Sequence, residues 1–186
     1  MFCHFDPDKA IQAAAVVMRY HGKRISRLRL LKLLYIADRT ALRKRGHLII
    51  GGKIVAMNNG PLHSPVYDLI KGTHLDEPRW SRFITTNGPR DLILSEEPGI
   101  DLLSTYEIDL LNATCELHEQ FDDFELSQLT HKFSEFAKHF EEGTSQPIPM
   151  ETVVEAVYDD PDERTEVLQE LKDKAVVDGI LARSAT

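Results

Sequence analysis

The sequence predicts a compact, mainly α domain with a few short β-strands and small β-hairpin elements, an α+β class. Three observations predict it. Long stretches carry apolar residues at helical spacing behind capping residues such as Asp6-Pro7, Ser26 and Ser104. Short runs rich in Ile, Val and Leu lie between glycine and asparagine turns. The chain has 186 residues with 42% hydrophobic and 28% charged content, which suits a globular protein with a sizeable core.

Asp6 caps a first helix with proline at its first position, and Ile11, Ala14, Ala15 and Met18 follow at helical spacing until Gly22. Ser26 caps a second helix whose broad stripe includes Leu28, Leu31 and Tyr35 with Leu30, Leu34, Ala37 and Ala41 beside it. That breadth makes it the central helix of the core. Arg43, Lys44 and Arg45 favour its last turn, and Gly46 its C-cap. His47 to Met57 reads as β-like, a hairpin turning at Gly51-Gly52 or one strand with a bulge, and Asn58-Asn59-Gly60-Pro61 as a turn. Ser64-Pro65 starts a short helix ending at Lys71-Gly72, followed by a polar loop. Trp80 to Thr85 and Leu92 to Leu94 flank Asn87-Gly88, a hairpin signal. Ser104 and Glu107 form a capping box ahead of Ile108, Leu111 and Cys115. Leu126 to His131 is another helical turn or two, and Phe133, Phe136 and Phe140 repeat behind it. Pro147-Ile148-Pro149 is read as a breaker that starts a helix bearing Val153, Val154 and Val157, and Asp160-Pro161 begins the last helix. The expected division is a domain over 1–145 and a C-terminal helical extension over 146–186, packed on it or forming an appendage.

The net charge of −8 conceals an asymmetry. Residues 1–94 hold 16 Lys and Arg against 7 Asp and Glu, and residues 95–186 hold 6 against 23. Residues 23–45 alone carry nine bases and one acid, Asp38. Mutual attraction of the two halves on folding is the favoured reading, because a negative whole chain disfavours a long phosphate track. A DNA-binding regulator using segment 23–45, through Arg27, Arg29, Lys32, Arg39 and Arg43, is the rival. Nothing approaches a membrane span or a secretory signal, and Cys3 and Cys115 form no CxxC pair. A cytoplasmic protein with reduced thiols is expected.

Searching for chemistry finds little. His118-Glu119 lacks the second histidine of a metalloprotease helix, and Gly51-Gly52-Lys53 lacks the spacing of a phosphate loop. Asp122-Asp123 and Asp159-Asp160 read as helix caps. No cofactor, metal or catalytic residue is expected, and the chain is read as no enzyme. Lys32, Tyr35 and Arg39 share one helix stripe, with Asp38 beside it in reach of Tyr35. The expected arrangement pairs Asp38 with a basic residue and lets Tyr35 donate its hydroxyl inside a partly buried network that organises the extended segment.

Four ordered elements then stand out: KLLYIADR at 32–39, AMNNGP at 56–61, SPVYDL at 64–69 and ELSQLTH at 125–131. Together they resemble the Panacea (SocA-like) domain, a family of bacterial and phage antitoxin-type proteins, over roughly residues 10–140. Family members often carry a tryptophan after the Thr-His pair, where this chain has Phe136. The resemblance implies family-motif or partner-binding positions at Lys32, Tyr35, Asp38, Arg39, Met57, Gly60, Pro61, Ser64, Tyr67, Asp68, Thr130 and His131. It implies an antitoxin that neutralises a cognate toxin by direct protein–protein binding. The alternative it implies is a SocA-like proteolytic adaptor that delivers a toxin to a Clp-type AAA+ protease. The oligomeric state is left open.

Overall fold

The computed structural model describes residues 4–184; Cys3, expected as a reduced thiol, lies outside them. Asp6 accepts from the amides of Asp8 and Lys9, and with Pro7 in the first turn it starts α1, Pro7–Tyr20. After the short strand β1, Arg24–Ser26, the Ser26 hydroxyl accepts from the Arg29 amide and opens α2, Arg27–Arg45. Gly46 ends α2 in the left-handed conformation, at φ 71°.

β2, Ile54–Met57, pairs antiparallel with β3, Gly60–His63, so the hairpin turns at Asn58-Asn59. Of the two arrangements expected for 47–57, the single strand forms and the turn at Gly51-Gly52 does not, and Gly60-Pro61 is strand rather than turn. The backbone at 49–51 is instead bound by an acid of α2, which takes its amides away from any ladder. α3, Ser64–Lys71, follows as expected. Trp80 to Phe83, expected as extended, lies in α4, Glu77–Phe83, started by Glu77-Pro78 with Trp80 buried. Helix-start chemistry there outweighs the aromatic, β-like composition. β4, Ile84–Asn87, and β5, Asp91–Leu94, form the hairpin around Gly88, and β1 adds to β5 in the order β1-β5-β4.

Capping boxes at Ser104/Glu107 and Asp122/Glu125 open α5, Thr105–Leu117, and α6, Asp123–His131. α7, Ser134–His139, leads to β6, Gln146–Ile148. The stretch expected only as a breaker is thus a strand, which pairs with β2 and gives the order β3-β2-β6. Proline is tolerated because β6 lies at a sheet edge. α8, Met150–Val157, and α9, Pro161–Ser184, complete the described chain. Helices take 58% of the residues and strands 13%, so the α+β class forms as expected.

The main core lies between α1, α2 and α5, with Leu30, Leu33, Leu34 and Leu111 almost wholly buried. Burying each such side chain contributes roughly 2 kcal/mol. A second cluster joins Tyr35 and Leu42 of α2 to Ile54 and Ala56 of β2, Phe136 of α7 and Val153 and Val154 of α8. Helix α2 faces both clusters, as its broad stripe requires. Among the described residues, no helix is long and apolar enough to cross a membrane.

Candidate functional site

Helix α2 carries its unusual polar residues inward. Asp38 is 1% exposed. Its carboxylate accepts from the amides of Ile49 at 2.7 Å, Ile50 at 3.0 Å and Gly51 at 3.0 Å. The acid therefore organises the segment after α2, as expected, but through backbone amides rather than through Tyr35 or a basic residue. Charged acceptors make the stronger hydrogen bonds, and one carboxylate has lone pairs for all three amides. His63 of β3 is also buried, with Nε2 3.3 Å from Asp38 Oδ2 but without hydrogen-bond alignment. Burial holds the imidazole pKa below its usual range, against the opposing pull of Asp38.

One turn away, Tyr35 donates its hydroxyl to Glu135 Oε1 at 2.9 Å. Arg39 Nε donates to the same oxygen at 2.6 Å, and its guanidinium lies 4.3 Å from the centre of the Phe133 ring. Glu135 is fully buried, so its charge is balanced by Arg39 and bonded by Tyr35. Burial and the Glu135 carboxylate push the Tyr35 hydroxyl well above its ordinary pKa. Neither Glu135 nor His63 stands out in the sequence. A glutamate in the first turn of a short helix looks like any helix-start acid, and its burial follows from α7 packing on α8.

A third group forms around Gly60. Lys32 is wholly buried, and its Nζ donates to the Pro61 carbonyl at 2.7 Å. Burial lowers its pKa to about 7. From α6, Ser127 Oγ donates to the Asn59 carbonyl at 2.9 Å, and Thr130 Oγ1 donates to the Ser127 carbonyl at 2.8 Å. The His131 ring stacks on Phe136 at 4.6 Å, and its Nε2 is buried with no partner among the described residues. Burial, then the Lys32 charge, lowers the His131 pKa. A Cβ at Gly60 would overlap Thr130 Oγ1 and lie 3.1 Å from Lys32 Nζ and 3.2 Å from His131 Cδ2. Glycine is required there by close approach as well as by its φ of 98°. The structure thus brings Lys32, Gly60, Pro61, Thr130 and His131 together across a separation of about a hundred residues.

Not all the expected positions meet. Ser64 and Asp68 bond to each other within α3 at 3.3 Å, and Tyr67 lies under Lys71. Tyr35, Asp38 and Arg39 make the buried contacts above. Lys32, Met57 and Tyr67 line an open groove of about 790 Å³ together with Asn58, Asn59 and residues of α2 and α6. The polar networks therefore hold the hairpin β2–β3 against α2, and the groove is the accessible surface they shape.

Part of the charge asymmetry is met by ion pairs within the fold. Arg19 and Lys23 pair with Glu97, Lys9 with Glu107, Arg29 with Asp123 and Arg39 with Glu135. Arg24 pairs with Asp91. Among the described residues, four of the nine bases of segment 23–45 are paired in this way, three of them with the acidic half.

No curated protein and no solved structure shows a significant match to the chain. The family model described as antitoxin SocA-like, Panacea domain, matches residues 30–136. The matched span runs from α2 to Phe136 and takes in Asp38 and the loop it binds, the Gly60 junction and Glu135. It is more than half of the chain, and it agrees with the resemblance carried by the four elements. The chain therefore belongs to the SocA-like, Panacea-domain family of antitoxins.

Proposed function

We propose that this antitoxin neutralises a cognate toxin by stoichiometric protein–protein contact, acting in the cytoplasm and without chemistry of its own. The observation that supports the reading is where the family's polar residues lie. Lys32, Asp38, Gly60, Thr130 and their neighbours lock a hairpin and two helices around one open groove, with their own polar atoms turned inward. A rigid, pre-formed surface lowers the ordering cost of binding. That is what a blocking antitoxin needs.

Co-expression with the neighbouring small reading frame tests the proposal. Growth arrest is relieved and the two proteins co-purify at a fixed ratio. An unrelieved arrest with no complex overturns it. The toxin's half-life separates blocking from delivery to a Clp-type protease, since a blocker leaves the half-life unshortened.

A further inference from the structure

We infer that the groove between α2, α3, the β2–β3 turn and α6 receives a segment of the toxin that places an acidic side chain beside an apolar one. The inference rests on the reading of the chain as a toxin-binding protein. The apolar part of the groove is formed by Leu28 and Leu31 of α2, Leu62 of β3 and Phe124 of α6. Phe124 leaves 69% of its surface open.

The charge at the groove is one-sided. Arg27 and Arg90 both line it, and the Arg27 amide donates to the Arg90 carbonyl at 2.8 Å, which holds the two residues next to each other. Among the described residues neither guanidinium has a carboxylate within ion-pair distance. Arg27 also stands in the first turn of α2, where the helix dipole disfavours a cation. Its neighbour Arg29 offsets the same penalty with Asp123 and the Phe121 carbonyl. Among the described residues Asp123 is the one acid that lines the groove, and it already accepts from Ser26 Oγ at 2.5 Å. A carboxylate on the partner relieves this imbalance, and an apolar neighbour covers Phe124. The apolar lining is unsuited to a phosphate backbone.

The test is titration calorimetry of the full chain against the toxin encoded by the neighbouring reading frame, over a series of salt concentrations. Arg27→Glu/Arg90→Glu weakens the complex roughly tenfold or more and flattens its salt dependence. Phe124→Ser weakens it by a similar factor, about tenfold. Arg43→Glu/Lys44→Glu, the same charge change on exposed residues at the far end of α2, leaves affinity within about twofold. One Asp or Glu to Lys exchange on the toxin restores binding to the doubly reversed chain. All the substituted side chains are exposed or half-buried, and unchanged melting curves confirm folding. Wild-type affinity in both groove variants overturns the groove assignment alone. A wild-type chain that forms no complex overturns the proposed function and the assignment with it. Tight, steeply salt-dependent binding of duplex DNA that the Arg27→Glu/Arg90→Glu variant loses assigns the groove to nucleic acid instead.

Discussion

Lys32 shows how far a single residue departs from what its type suggests. A lysine in a helix stripe reads as a solvated cation or a phosphate contact. Here it is wholly buried with one carbonyl partner, and its pKa falls to about 7 from about 10.5. Between those values the unfolded chain holds a proton that the folded chain has released. Stability therefore rises with pH from about 7 upward, by at most about 1.4 kcal/mol per unit, and below pH 7 the penalty is fully present. Denaturant midpoints at pH 7 and pH 9 check this. Lys32→Met flattens the rise, and an identical slope in the variant contradicts the assignment. Gly60 carries the opposite lesson, since its role is legible only in space. Gly60→Ala costs about 2–4 kcal/mol through overlap with Thr130 Oγ1 and backbone strain. Adding Thr130→Ala recovers the steric part and leaves the strain. Thermal melts of the two single variants and the double variant measure the coupling.

At the scale of elements, local chemistry was readable and non-local pairing was not. Caps at Asp6, Ser26, Ser104 and Asp122 and the αL glycine at 46 placed helix ends well, because each acts within one turn. β1 and β6 are three residues each and exist only through their partners β5 and β2. Nothing in their own composition announces them. The hairpin turns at Asn58-Asn59 and not at Gly51-Gly52, because Asp38, eleven to thirteen residues earlier in sequence, takes the amides of 49–51. The link between α2 and α7 is of the same kind. Glu135→Ala leaves a half-buried Arg39 and a buried Tyr35 without their acceptor and destabilises the fold by about 3 kcal/mol. Glu135→Gln keeps the shape and loses less. Urea unfolding of both variants checks the order, and equal losses contradict a role for Glu135 as the hydrogen-bond acceptor of Tyr35 and Arg39.

Across the whole molecule, the basic first half and the acidic second half meet in paired side chains on several faces. The asymmetry is in part a folding complementarity, the reading that the charge pattern favoured. Arg27 and Arg90, beside the groove, belong to its unmatched remainder among the described residues. The family and the position of its polar residues were legible from four short elements. The groove was not, because its walls come from α2, β3, α3 and α6 and only the fold assembles them. The central claim is that this chain silences a toxin by occupying it. The most direct measurement titrates purified toxin activity with purified chain in a system that contains no protease. The account predicts that activity falls to background at one fixed molar ratio and stays there. Full toxin activity in excess chain, lost only when a AAA+ protease and ATP are added, would contradict it.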